Sequence, residues 1–520
     1  MAIPLPPVPG FRRAPRTLVV ISALIAAALL VPIVFLVLQA AQAGWHDVFR
    51  LLFRHLTVVL LLNTVQLAAG VCAATAVLGT GAAYLVERTN LPGRRAWAVL
   101  VVLPVAVPDF VVGYAWHSIA PGVHGLGGAI LVMTLAVYPL VFIPVAAALR
   151  RADPGEEEVA RSLGLGPLRS FTKVTLRQIR PALTGGCLVV CLVLLAEYGA
   201  FEIVRFQTFT TTIFAELKLG FDPAAAAGLS IVLVVIGMLV LAGEGMVSTR
   251  GRLSRASGQA GRARVRHRLR RGQKAGALAA MAALVGAAIG VPVGTLVYWM
   301  QASHTTTLPG ASLWGALEHT ALYGGAAALV ATALALPVAM LAVRHRSPAA
   351  TTLERSTFLV QSLPGIVVAF ALIYFADRYA QRWYQTAPLL VAAYAILFFP
   401  LALICVRASV AQAPRQLEEV GRSLGRRPLG VLMRVTLPLV APGLAAAFCL
   451  VFLSAATELT ATLLLRPTGV QTLATQFWAY QSNTSYGAAA PFAAALLALA
   501  VVPSYALTRW FDRHPGEERA

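Results

Sequence analysis

Charge is what this sequence has least of. Asp, Glu, Lys and Arg make up 12% of its 520 residues against 58% hydrophobic ones, and mean hydropathy is +0.75. A soluble domain carries about 25% charged residues, so the composition reads as a membrane-integrated chain and not as a string of soluble domains. Cysteine is also scarce. Cys72, Cys187, Cys191, Cys405 and Cys449 all fall inside apolar runs. Cys187 and Cys191 are spaced to share a helix face, but nothing nearby completes a metal ligand set, and small apolar packing accounts for them. The nine histidines include no H-x-x-x-H pair, which argues against a transition-metal cage. No G-x-x-x-x-G-K-[ST] stretch occurs, so the chain is not expected to bind or hydrolyse ATP itself.

Acid is scarcer than base, 21 residues against 42, for a net charge of +21. In a membrane chain that excess is first a topology signal. Apolar runs of bilayer-crossing length, about 20 residues, lie near 17–38, 57–84, 96–116, 127–149, 182–203 and 226–247. A second set lies near 275–299, 316–343, 356–376, 387–410, 442–465 and 490–510. Ala41-Gln42-Ala43 looks like a signal-peptidase site, but the run before it exceeds the usual h-region of about 7–15 residues. It is therefore taken as a retained span. Arginines crowd alternate gaps, around Arg88 to Arg95, Arg150 to Arg180, Arg344 to Arg355 and Arg407 to Arg434. The positive-inside rule makes that side cytoplasmic, with both termini on it.

The join between the two sets, residues 250–274, holds ten Lys or Arg and no acid. It reads as a cytoplasmic linker meeting anionic lipid head groups and not as a nucleic-acid arm. Domains are accordingly expected at 1–249 and 275–520, six spans each.

The halves repeat each other. Glu158-Val159-Ala160-Arg161-Ser162-Leu163-Gly164 returns as Glu419-Val420-Gly421-Arg422-Ser423-Leu424-Gly425, an offset of 419 − 158 = 261. Glu157 with Glu418, Pro167 with Pro428, Val174-Thr175-Leu176 with Val435-Thr436-Leu437 and Pro181 with Pro442 keep the same offset. Asp153, Pro154 and Glu156 predict a capped helix start, and Gly164 and Pro167 its end. Beyond it, Leu168, Phe171 and Val174 fall at helical spacing, with Arg169, Lys173 and Arg177 on another face.

Glu-x-x-x-x-x-Gly followed by Val-x-Leu, present twice on the same side, resembles the EAA loop of ABC-importer permeases. That resemblance implies an all-α polytopic membrane protein of about twelve transmembrane helices in two pseudo-symmetric six-helix halves, similar to type I ABC importers. It implies coupling helices near 154–164 and 415–425 that dock on an ABC ATPase subunit, in two copies, which carries the ATP and Mg. The docking residues it implies are Glu157, Glu158, Arg161 and Gly164, with Glu418, Glu419, Arg422 and Gly425. Val159 and Val420 replace the family's Ala, and Arg177 stands where Pro is usual. An external substrate-binding protein in a bacterial inner membrane system is implied too, meeting residues 208–222 and 471–486.

The stretch Glu458 to Pro467 with Thr472-Leu473-Ala474-Thr475, and Ala196-Glu197-Tyr198-Gly199 with Thr208-Phe209-Thr210-Thr211, looks like ferric-iron permeases. Thiamine or another small solute is the alternative cargo, and an ion-gradient-driven secondary transporter the alternative mechanism. Glu197 and Glu458 correspond, as do Arg205 and Arg466, again 261 apart. An ionisable residue within a span is costly and usually faces a cavity or a partner. Glu197, Tyr198 and Glu458 are therefore candidate pathway residues, in the outer part of spans five and eleven. The alternative is that each Glu holds a backbone group or an Arg. Asp109, beside Pro104 and Pro108, is a further candidate because those prolines predict a broken helix. Gly185-Gly186 and Gly324-Gly325 read as packing contacts, and Trp97, Trp116, Trp299 and Trp510 as interfacial anchors.

Overall fold

The computed structural model describes residues 15–43, 54–220, 222–255, 267–303, 310–345 and 347–513. Among them no β-strand occurs, only an isolated bridge between Thr89 and His267. Eight helices are long and apolar enough to cross a membrane, and eleven segments are if each of three bent helix pairs counts as one span. Tyr486–Arg513, apolar over Tyr486–Ala500, takes the place of the twelfth. Pro32, Pro144, Pro181, Pro337, Pro400 and Pro442 lie inside helices, where neighbouring helices and local backbone adjustment make proline tolerable in a membrane.

The two sharpest breaks are duplicated, while the 45° bend between Gly125–Val137 and Pro139–Arg151 corresponds to the unbroken helix Ala387–Gln412. Arg94–Ala106 and Asp109–Ile119 meet at 92°, and Pro348–Ser362 and Gly365–Tyr379 at 104°. The cause is local. Val107 and Leu363, each preceding a proline, are extended at φ/ψ of −89°/122° and −91°/116°. Proline disfavours helical geometry in the residue before it, so each chain leaves its helix there and starts a new one after Pro108 or Pro364. The π-helical turns Phe171–Thr175 and Leu432–Thr436 also correspond, at 432 − 171 = 261.

Packing divides the chain into two compact units that are not its sequence halves. One unit comprises Met1–Leu38, Pro309–Gln476 and Ala498–Ala520. Within it the Phe35 ring meets Phe375 and Tyr379 edge-on at 5.1 and 5.5 Å. The other comprises Gln39–Leu308 and Phe477–Leu497. There Phe477 packs on Phe110 and Tyr114, both at 5.3 Å, and the Tyr114 hydroxyl donates to the Tyr486 carbonyl at 2.8 Å. Aromatic pairs of this kind each contribute about 0.5–1.5 kcal/mol beyond their buried area. A late segment of the sequence is thereby tied into the unit that holds the first copy of the repeated heptapeptide.

Several expectations change here. Trp299 is more than an interfacial anchor, because its indole N–H donates to Ser118 Oγ at 3.1 Å and its ring meets Tyr486 at 5.2 Å. In each glycine pair one member makes the close contact. A Cβ on Gly186 would come within 3.1 Å of the Leu140 carbonyl, whereas one on Gly185 would meet nothing. The cysteines pack as expected: Cys72 Sγ lies 3.5 Å from Cys191 Sγ and the same distance from the Cys187 carbonyl. The side chain of Trp510 lies outside the described residues.

Candidate functional site

The first repeated stretch forms the helix Pro154–Ser162 and the second Arg415–Ser423. Asp153 Oδ1 accepts from the Gly155 amide at 2.8 Å, as a cap should, but Glu156 turns away from the expected capping box and accepts from Gln178 Nε2 at 2.6 Å. Both helices end on a glycine with positive φ, Gly164 at +85° and Gly425 at +77°. Only glycine takes that conformation freely. It lets the Leu165 amide reach the Ala160 carbonyl at 3.1 Å and the Arg426 amide reach the Gly421 carbonyl at 3.3 Å. These are the six-to-one bonds that close a helix C-terminus.

The residues of the repeat divide between two faces. Glu157 and Glu418 turn inward and are buried. Glu418 is paired with Arg344 Nη2 at 2.9 Å, while Glu157 is met by His267 Nε2 at 3.0 Å and by the Thr175 hydroxyl at 3.4 Å. They anchor their helices from within. The outward face is apolar. Leu163 and Leu424 are 78% and 76% exposed, with Val159, Leu417 and Val420 also exposed. Glu419 and Arg422 flank this second apolar face and are exposed. The side chains of Glu158 and Arg161 lie outside the described residues. Val159, Leu163, Val420 and Leu424 sit inside the repeated heptapeptides, so the duplication itself marked them, whereas Leu417 lies outside. Arg344 and His267 carried no such mark.

A long helix leads from each of these two short helices to a second feature. Phe171–Ala196 and Pro428–Ala456 are continuous spans, the first about 39 Å long at 1.5 Å per residue. Spans five and eleven were expected to run through 182–203 and 442–465 with their glutamates inside. Instead the helices stop at Ala196 and Ala456, and the glutamates stand at the breaks. Glu197 Oε1 accepts from the Ala200 amide at 2.7 Å and Glu458 Oε1 from the Ala461 amide at 2.9 Å. Each carboxylate thus caps the short helix that follows, Gly199–Ile203 or Thr460–Leu465. A hydroxyl then closes each turn from the other side, Thr210 onto the Glu197 carbonyl and Thr462 onto the Glu458 carbonyl, both at 2.5 Å. An open amide in apolar surroundings costs several kcal/mol, which accounts for a carboxylate at this depth.

The neighbouring motifs serve the same breaks. The Thr208 amide donates to Thr211 Oγ1 and the Thr472 amide to Thr475 Oγ1, both at 2.9 Å. Tyr198 is buried against Phe214 at 4.5 Å and Trp478 at 5.4 Å, a packing position. Asp109 opens the helix after the 92° bend, where the second half has Gly365. Among the described residues no three His, Cys, Asp or Glu side chains converge as a group able to hold a metal.

The duplication seen in sequence and structure has its counterpart in the known proteins that this chain resembles. It is 36% identical over 505 residues, 96% of its own length and 99% of the relative's, to the Fe(3+)-transport system permease protein FbpB 2 of Haemophilus influenzae. It is 22% identical to the ferric transport system permease protein FbpB of Actinobacillus pleuropneumoniae, over 84% of this chain and 69% of that one. A sulfate transport system permease protein, CysT of Escherichia coli, is 28% identical over 45% of this chain but 90% of its own. The family described as binding-protein-dependent transport system inner membrane component matches residues 75–250 and again 331–515. The chain belongs to that family, with two of its domains fused in one multi-pass inner-membrane transport subunit.

Proposed function

We propose that this chain is the complete membrane path of an ATP-driven importer whose cargo is ferric iron. The full-length likeness to a protein named for Fe(3+) transport is the observation that carries the cargo. Two copies of a separate ABC ATPase, with ATP and Mg bound there, dock on the cytoplasmic side. One copy receives Val159 and Leu163, the other Leu417, Val420 and Leu424. Both termini and the basic linker face the cytoplasm. A substrate-binding protein delivers cargo from outside.

The mechanism follows from how the parts are joined. Closure of the ATPases moves the two coupling helices, and each displacement passes through a π-turn into a continuous helix that ends on Glu197 or Glu458. The far ends of these rods are the breaks, where the path alternates between outward and inward access. In one unit Glu197 and Asp109, and in the other Glu458, each carry the oxygen donors that a hard cation prefers.

Uptake of radiolabelled ferric iron, in cells lacking the chain and in cells given it back, tests this, with labelled thiamine and sulfate as parallel cargoes. Restored iron uptake supports the proposal. Restored uptake of another cargo alone removes the iron assignment and leaves the importer.

A further inference from the structure

The two coupling helices are held by different means. In the second half, Arg344 at the end of its own span, Ala311–Arg344, donates to the Ala413 carbonyl at 3.0 Å and to Glu418 at 2.9 Å. Arg88 is its counterpart, at 344 − 88 = 256, and keeps only the first of those tasks, donating to the Ala152 carbonyl at 3.4 Å. The second task passes to His267, at the end of the linker, whose Nε2 lies 3.0 Å from Glu157 Oε1.

His267 is built in. Its amide donates to the Arg88 carbonyl at 2.9 Å, and its carbonyl accepts from the Asn90 amide at 3.2 Å. Two residues on, the Leu269 amide donates to Asn90 Oδ1 at 2.9 Å. The imidazole stacks on Tyr84 at 6.2 Å and 28°, and Tyr84 meets Phe171 of the π-turn edge-on at 5.1 Å. Backbone, ring and nitrogen are thus each engaged, the first two by the end of the second span and the third by the helix Pro154–Ser162. A residue in a passing loop would have no reason for all three.

We propose that His267 is a positioning residue for transport, by which the linker fixes the first coupling helix against the end of the second span. It acts through Glu157 and touches neither cargo nor ATPase. The first half therefore transmits ATPase motion only while the linker is seated, a condition the second half does not share. The inference rests on reading Pro154–Ser162 as the helix that meets the ATPase.

The test uses the full chain in cells, with iron uptake measured against iron concentration and membrane levels matched by immunoblot. His267→Ala and Glu157→Gln should each lower the maximal uptake rate roughly three- to tenfold, the range for one lost hydrogen bond, with the half-saturating concentration unchanged. The double variant should be no worse than either single one. His267→Arg, which supplies the cation that Arg344 supplies in the other half, should recover most of the rate, whereas His267→Gln should recover less. Wild-type uptake by His267→Ala, or losses that multiply in the double variant, would overturn the proposal.

A separate readout keeps the two readings apart. Paired His267→Cys and Glu157→Cys substitutions should form an oxidant-induced crosslink that neither single variant shows. The crosslink reports the contact without reference to transport. If it forms and iron uptake never depends on this chain, the functional reading fails; if uptake depends on the chain and not on the pair, this inference fails.

Discussion

Glu458 Oε1 occupies the space that a side chain at Gly365 would need: a Cβ there would lie 2.6 Å from it. The glycine after the 104° bend is thus the floor on which the capping carboxylate rests. Gly365→Ala should push Glu458 off the Ala461 amide and cost about 1 kcal/mol for the lost cap, more if the amide stays dry. Thermal unfolding in detergent should show the loss. An unchanged transition would mean the carboxylate finds a second seat.

Cap and pathway roles of Glu458 separate by substitution. Glu458→Gln keeps an oxygen for the Ala461 amide but removes the charge, and Glu458→Ala removes both. The Gln variant should keep wild-type stability with reduced iron uptake, and the Ala variant should lose about 1 kcal/mol of stability as well. Full uptake by Glu458→Gln would leave the residue a cap alone.

Leu163 and Leu424 project from helices whose acidic residues at 157 and 418 turn inward. Burying a leucine in a partner's cleft is worth about 1.5–3 kcal/mol, and an aspartate there adds desolvation. Leu424→Asp and Leu163→Asp should each weaken ATPase association by more than about tenfold, with insertion in the membrane unchanged. Co-purification of the purified ATPase with the detergent-solubilised variants measures it.

Much of this architecture is legible in the sequence. The repeat located the two short helices Pro154–Ser162 and Arg415–Ser423 to within a few residues, because their caps and terminal glycines are local signals. Pro104 and Pro108 announced the broken helix for the same reason. Glu197 and Glu458 were found as residues but misplaced within continuous spans. A carboxylate in an apolar run looks alike whether it lines a helix or ends one, and only the hydrogen bond to the following amide decides. His267 was invisible because its partner lies 110 residues away and the other half solves the same problem with an arginine on a different element. The joining of Phe477–Leu497 to the unit containing Gln39–Leu308 left no periodic trace at all.

Arg344 and Glu418 are both nearly buried, at 9% and 8% side-chain exposure. Removing one partner of such a pair leaves the other charge uncompensated, at about 3–5 kcal/mol. Arg344→Ala should therefore disable the second coupling helix more severely than Arg88→Ala disables the first, since Arg88 holds only a carbonyl. Iron uptake and protease sensitivity of the 415–425 segment would check the order. Equal effects would contradict the division of labour between the halves.

At the ends of the second and eighth spans, Asn63 Nδ2 donates to the Gln207 carbonyl at 3.0 Å and His319 Nδ1 lies 3.0 Å from the Gln471 carbonyl. The same task, pinning the loop that leads into the threonine cap, is done by an amide in one half and an imidazole in the other. Only a donor is required, so His319→Asn should be nearly neutral for stability and uptake. His319→Leu should cost about 1 kcal/mol by leaving the carbonyl without its donor. If His319→Asn fails as badly as His319→Leu, the imidazole serves through its stacking on Tyr323 at 5.9 Å, and the two pins are not equivalent.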